Sequence, residues 1–555
     1  PRDTATETPE LRTATRNVTS GKRLGQKMRN AFPLAVAILL ALPIARPVCA
    51  EDEKSVAKYT GIPEPFEKAF RDLVTEIETA AEEKPTHVAW LIDQSNSMSG
   101  MRKHLAETIG KLDSKSAAVS SSTLVAAFGS SFTMLTPEPV HGPKSIAETI
   151  SAIDKDNSGE ENCISGVLAL ARVFMKTGER NDHRILIIAT DEAGDDYFEF
   201  ELAVKLCSRT NIRVFCLGNV SPFGTRRGYV SWTYDDGYVE RIPINQGPET
   251  IWRMVPDWPS MTVPEIDFSR ISSGFGPWVL ERLCRATGGR YLIAKDDMEI
   301  RFDAEVMSKF EPDYTSWNSE KRREQFPFQP LHNAVITAGA LSGPNSLQIP
   351  FPFMRADTAD RLRSDITMSQ RSCRSTEYVA NKALLVLESV EPGKEEVVSP
   401  RTQASYDLSI GRALAIQIRA LQFNQLLAQR KGEALLPMPP DNTWQLVAAK
   451  TVDDNPAIEK QIAKAEHHLQ KVVREHEGTP FAYVAKKELE RGFGWTWTSH
   501  HVDYPSDIQL EKPFGNFGNS RPTDQLLRLG PDGKPVAIGR PGSRYRPEKR
   551  ERPKL

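Results

Sequence analysis

At 555 residues the chain is too long for one hydrophobic core, so two or three domains with tails are expected. Hydrophobic residues at 39% and charged residues at 26% are enough for packed cores, and they exclude both a polytopic membrane protein and a wholly disordered chain. Lysine plus arginine number 71 against 73 aspartate plus glutamate, a net of −2, so the chain as a whole has no electrostatic basis for binding nucleic acid.

Residues 1–50 read as an N-terminal extension and signal peptide. Lys22, Arg23, Lys27 and Arg29 precede the apolar run Ala31–Ile44, and Val48-Cys49-Ala50 supplies the small residues for cleavage after Ala50. The run is broken by Pro33 and Pro43 and is shorter than the ~20 apolar residues of a spanning helix, so no integral membrane segment is expected after cleavage. Arg46-Pro47-Val48 before Cys49 is a poor lipoprotein signal, and residues 1–27 read as sequence upstream of a start at Met28. Cleavage removes eight basic and three acidic side chains, which leaves 63 against 70, a net of −7, on the exported form. The expected location is secreted or periplasmic, in the cell envelope. Five cysteines remain (Cys163, Cys207, Cys216, Cys284, Cys373), an odd number too scattered for a disulfide scaffold; their largely apolar surroundings favour small buried hydrophobes, with one bridge possible and at least one thiol free unless it pairs between chains.

Residues 51–84 form a charged lead in which Phe66, Phe70, Leu73 and Ile77 have helical spacing, ending at Lys84-Pro85. Near-continuous apolar runs then mark strands at His87–Ile92, Thr123–Phe128, Arg184–Thr190, Ile212–Gly218 and Arg290–Ala294. They alternate with amphipathic helices near Met101–Leu112, Ser145–Ile153, Cys163–Met175, Tyr197–Cys207 and Trp278–Thr287. The alternation predicts an α/β domain over residues 85–297: a doubly wound, mostly parallel sheet with helices on both faces.

Residues 219–276 interrupt the rhythm as an insertion. Asp236-Gly237 between Val230–Tyr234 and Tyr238–Ile242 predicts a β-hairpin there. Trp232, Tyr234, Tyr238, Trp252 and Trp258 serve either as the wall of a binding surface or as the insertion's own core, with core favoured for some of them.

Residues 298–500 are expected to be mainly helical. Ser405–Gln429 reads as one long helix, and Asn455-Pro456 and Thr479-Pro480 open a helical hairpin whose open end Trp495 and Trp497 are placed to close. Residues 501–555 read as a Pro/Arg-rich disordered tail; from 521 onward there are ten basic and four acidic side chains and six prolines.

The first α/β strand runs into Asp93-Gln94-Ser95-Asn96-Ser97, and the strand Arg184–Ala189 delivers Thr190-Asp191-Glu192 to the same edge, since parallel strands end on one side. Hard oxygens from two segments suit a hard divalent cation such as magnesium. The segment resembles the von Willebrand factor A domain, whose metal-ion-dependent adhesion site uses D-x-S-x-S after its first strand. Asp93, Ser95 and Ser97 match that motif, Asp191 matches the later aspartate, and Arg282–Tyr291 resembles the final helix-turn-strand of bacterial members. The match spans about 210 of the 555 residues. It implies a metal-dependent, non-enzymatic binding protein of the secreted bacterial kind, with Mg2+ (or Mn2+ or Ca2+) bridging to a protein ligand through an oxygen, typically a carboxylate, that completes the shell.

The resemblance also implies a threonine before a middle helix, and Glu161 stands at that place in Ser158–Asn162. As a ligand it adds negative charge to the metal and reduces the draw for an acidic partner; turned away, it leaves a gap for water. Asp154–Gly159 matches the start of an EF-hand loop, but position twelve is Ser165 rather than glutamate, so a polar turn is expected. Glu192, Asp195 and Asp196 read as solvated loop residues, and the pairs His467-His468 and His500-His501 as exposed. Two other functions remain open at this point: an envelope scaffold with a degenerate metal site, and a metal-dependent hydrolase, which lacks a recognisable nucleophile.

Overall fold

A computed structural model describes residues 65–504, apart from 235–236, 238, 257, 259–260, 262–264, 316–329, 342–351, 393–398, 451 and 453–455, together with the backbone of 527–529 and 535–537. The expected signal peptide, the start of the charged lead, the tip of the insertion's hairpin and most of the tail lie outside these residues. No described helix is long and apolar enough to cross a membrane.

Helix α1 (Phe66–Glu83) buries Phe66, Phe70, Leu73 and Ile77, the stripe its spacing predicted. Strand β1 (Thr86–Asp93) follows, buried along nearly its whole length. Then come α2 (Ser99–Gly110), the single turn α3 (Ala117–Ser120), β2 (Ser122–Phe128) and the short β3 (Phe132–Met134). Helices α4 (Pro143–Ser151) and α5 (Cys163–Phe174) lead to β4 (His183–Thr190), α6 (Phe200–Arg209) and β5 (Ile212–Asn219). After the insertion, α7 (Trp278–Ala286) and β8 (Tyr291–Lys295) complete the domain, β6 and β7 being the insertion's own strands.

The six strands form one sheet in the order β3-β2-β1-β4-β5-β8, all parallel except the edge strand β3. This is the doubly wound α/β fold that the strand-helix alternation predicts. The chain winds outward from β1 toward β3, then returns to β4 and winds the other way, so the order reverses between β1 and β4. Alternate side chains of the buried strands feed two cores. On one face Val88, Trp90 and Ile92 pack with α1, α2 and α4; on the other Ala89, Leu91 and Leu186 pack with α5, α6 and α7.

The insertion holds β6 (Gly228–Thr233) and β7 (Val239–Ile244), paired antiparallel as the hairpin predicted. Trp258 is buried in a core, whereas Trp252 is 42% exposed. A short helix α8 (Ala304–Ser308), then α9 (Pro330–Ala340), β9 (Phe353–Arg355), α10 (Ala359–Glu388) and α11 (Pro400–Glu433) follow. Strand β10 (Thr443–Ala449), helices α12 (Pro456–Glu475) and α13 (Pro480–Arg491), and β11 (Gly494–His500) end the helical region. The C-terminal region is therefore mainly helical, with a small antiparallel sheet β11-β10-β9. In the tail, β12 (Leu527–Leu529) pairs antiparallel with β13 (Pro535–Ala537).

Several expectations are corrected here. Trp495 does not close the α12–α13 hairpin's end: it lies on β11, stacks edge-on against Phe423 of α11 and donates its indole N–H to the Arg419 carbonyl. His468 is fully buried, because α12 packs on α11 and sets the imidazole Nδ1 2.8 Å from Asp407; only its neighbour His467 faces solvent. By contrast, the favoured reading of the cysteines holds: among the described residues Cys163, Cys207, Cys216, Cys284 and Cys373 are free and buried as small hydrophobes.

Candidate metal centre

In a doubly wound sheet the crevice for a ligand lies outside the carboxyl ends of the strands, where the strand order reverses. Here that point is the gap between β1 and β4. Their register pairs Ile92 with Ala189, which puts Asp93 and the Thr190-Asp191 step side by side as the two strands end.

Asp93 is fully buried, and its two oxygens are held differently. The Ser95 backbone N–H donates to Oδ1 at 2.7 Å, and the Thr190 hydroxyl donates to Oδ2 at 2.8 Å. Ser95 and Ser97 bring their hydroxyls within 3.0 Å of each other, and Ser97 also hydrogen-bonds the Asp191 carboxylate. Beneath the loop lies Arg102 of α2, itself buried, which donates to the Asp93 and Ser95 carbonyls at 2.8 and 2.7 Å. One guanidinium thus fixes the backbone that aims the motif's oxygens.

Glu161 enters from the turn before α5. Its backbone is clamped to the loop after β4: its N–H donates to the Asp195 carboxylate at 3.1 Å and its carbonyl accepts from the Asp195 N–H at 2.7 Å. Asp196 then accepts from the Ile164 and Ser165 N–H groups, satisfying donors at the start of α5. Asp196 is therefore buried and structural, not solvated as its sequence context suggested, while Asp195 is exposed but tied to Glu161. Gly194 makes the approach feasible: at φ +82° a side chain there would bring its Cβ to 2.7 Å from that of Cys163.

The five residues singled out in the sequence (Asp93, Ser95, Ser97, Glu161, Asp191) therefore converge. Carboxylate oxygens of Asp93, Glu161 and Asp191, all buried, lie within 4.8 Å of one another. Both Glu161 oxygens and Asp191 Oδ1 are buried without a hydrogen-bond partner. Burial raises the Glu161 carboxyl to about 12, with the charges of Asp93, Glu192, Asp191 and Asp195 adding to it. Burial, then Asp93, raises Asp191 to about 7; burial, then Asp191 and Asp93, raises Glu192 to about 8; and Asp93 is itself raised by burial. Such a set is costly without further positive charge, since the charge of Arg102 lowers Asp93 but does not offset its burial. Three clustered hard oxygens with unused lone pairs fit a divalent cation, held by Asp93, Glu161 and Asp191 with Ser95 and Ser97 beside them.

Arg102 and the Thr190–Asp93 bond carried no separate signal in the sequence, the first being a lone arginine on the inner face of a helix. The EF-hand-like stretch is an irregular polar loop between α4 and α5: burial alone would raise Asp156, but hydrogen bonds from Ser130 and Ser158 together outweigh it and hold the carboxyl at about 2.

No family model and no curated protein matches the chain. Among solved structures, the conserved hypothetical protein BatB from Bacteroides thetaiotaomicron is 14% identical, with TM-score 0.26, over 38% of this chain and 91% of that one. An aerotolerance-related membrane protein from Bacteroides fragilis NCTC 9343 is 16% identical, with TM-score 0.24, over 39% of this chain and 93% of that one. Proximal thread matrix protein 1 from the mussel byssus, with a zinc-occupied MIDAS motif, is 14% identical, with TM-score 0.22, over 26% and 37%. Likeness at this level does not bear on function, and the fold class rests on the strand order alone.

Proposed function

We propose that this is an exported, non-enzymatic binding protein whose α/β domain holds one divalent cation, magnesium or in its place manganese or calcium, and captures a protein partner whose oxygen completes the shell. The observation that supports it most is the convergence of three buried carboxylates with unpartnered oxygens at the reversal point of the sheet. Asp93, Glu161 and Asp191 would hold the cation directly or through water, and Ser95 and Ser97 would orient the carboxylates and offer neutral oxygens. Three carboxylates around a dication leave a net negative site, so the pull on a partner's carboxylate is weaker than at a site with a hydroxyl in place of Glu161.

That excess charge favours a second reading in which the cation is structural and the domain is an envelope scaffold. Calorimetry of magnesium, manganese and calcium binding to wild type and Asp93→Ala tests the site. No heat for any ion with the wild type would end the proposal. Partner capture from envelope extract, with and without chelator, separates the readings: chelator-sensitive capture supports adhesion through the cation, and chelator-resistant capture supports the scaffold.

A further inference from the structure

Beside the loop that carries Asp191 lies a cavity of about 420 Å3, lined by Ala193, Tyr197, Phe198, Ile251, Trp278 and Val279. Phe198 on its rim is 71% exposed, with its ring edge-on to that of Tyr197 at 6.3 Å. Arg226 and Asn245 line this cavity and also the next, of about 740 Å3, which Arg227, Tyr229 and Arg253 extend. The two share the wall made by Arg226 and Asn245 and form one trough, basic over the insertion and, at the sheet end, apolar apart from Glu201, which is engaged by Arg282 at 3.5 Å.

The carboxylate lining the basic end is already engaged: Asp267 accepts from Ser269 and pairs with Arg270 at 3.0 Å and Arg241 at 3.6 Å. Among the described residues Arg226 and Arg227 make no ion pair. Arg226 sits at the junction with its guanidinium 4.9 Å from the centre of the Tyr197 ring, so it is held by stacking while its donors stay available. The trough therefore presents a largely apolar recess next to two guanidinium groups that have no ion pair among the described residues.

We propose that this trough docks a segment of a partner polypeptide that carries a large apolar side chain next to an aspartate or glutamate. The apolar side chain enters between Tyr197, Phe198 and Trp278, and the carboxylate pairs with Arg226 and Arg227, whose forked donors suit it. Charge complementarity selects this occupant over an anionic membrane surface. Glu192, Asp195 and Glu201 belong to the same edge of the sheet, and a flat anionic surface would meet them, whereas a peptide delivers one carboxylate to the arginines. The docking does not depend on the cation.

Fluorescence polarisation in EDTA with three labelled peptides tests it: alternating Glu/Phe, alternating Lys/Phe and alternating Glu/Ser. The Glu/Phe peptide is expected to bind about tenfold tighter than either control. Arg226→Glu and Phe198→Ser, both on exposed side chains, should each remove that preference without moving the thermal midpoint. Equal binding of the three peptides, no binding, an unchanged preference in Arg226→Glu, or tighter Arg226-dependent binding to phosphatidylglycerol vesicles would each overturn the proposal.

Discussion

Glu161 faces Asp93 and Asp191 with no hydrogen bond to either of its buried oxygens, so without a cation it keeps its proton. The linkage to pH follows. In the unfolded chain these carboxyls titrate near 4, whereas burial raises Asp191 to about 7 and Glu192 to about 8. Over that window the folded state binds more protons than the unfolded one, so the apo protein loses stability as pH rises from about 4 toward 8. A bound dication compensates the ionised carboxylates and cancels the loss. The melting temperature in magnesium minus that in EDTA should therefore widen between pH 5 and pH 8, and a constant or shrinking gap would count against the metal centre. Glu161→Gln, which keeps the shape of the protonated acid, should leave the EDTA melting temperature at pH 7 nearly unchanged. The same substitution should weaken magnesium binding by about 10- to 100-fold in calorimetry, as losses around a metal site commonly do. At this scale Asp93, Ser95, Ser97 and Asp191 were legible because strand ends deliver their next residues to one edge. Arg102 was not, since its role is set by the carbonyls of a loop that folds over it.

Helices α11 and α13 are joined by an ion triad that is shut off from water. Glu488 lies 3.1 Å from Arg412 Nε and 2.6 Å from Arg419 Nη1, and all three side chains are at most 1% exposed. The remaining donors are used: Arg412 bonds the carbonyls of Pro256 and Trp258, and Arg419 bonds those of Gly492 and Glu488. Burial alone would raise Glu488, but Arg419 and Arg412 outweigh it and hold the carboxyl at about 2. Its stabilising contribution is complete above the unfolded range near 4.3 and vanishes as pH falls to about 2. Removing the acid strands two buried cations, so Glu488→Gln should cost about 3–5 kcal/mol in urea denaturation at pH 7. A loss below about 1 kcal/mol, typical of an exposed pair, would show the triad to be wet. The five parallel strands of the large sheet were readable because burial on both faces leaves continuous apolar runs, whereas the antiparallel edge strand β3, three residues long and only partly buried, was not. Helix α10 was not: its inner face carries Asp365, Ser369, Cys373 and Thr376, which break the apolar period, and strand β9 has three residues, too few to show one.

Across the whole molecule, residues separated as insertion and helical region in the sequence share one core. Phe223, Val255 and Trp258 of the insertion pack in the same buried cluster as Ile366, Leu408, Ile416 and Leu469 of the helices. Arg401 of α11 adds a second buried tie, pairing with Glu249 at 2.9 Å and donating to the Phe310 carbonyl. The insertion in turn leaves the sheet at β5 and returns through α7, whose Trp278 packs under the sheet's second face. Local disruption at the insertion should therefore be transmitted both ways. Trp258→Ala removes a buried indole and should cost about 3–5 kcal/mol, shifting one common transition rather than melting the insertion alone. Urea unfolding followed in parallel by tryptophan fluorescence and far-UV circular dichroism should give superimposable curves for wild type and variant. Two resolved transitions, with the helical region outlasting the sheet or the reverse, would mean that the shared core does not couple them, and the trough over the insertion would then sit on a separately yielding element.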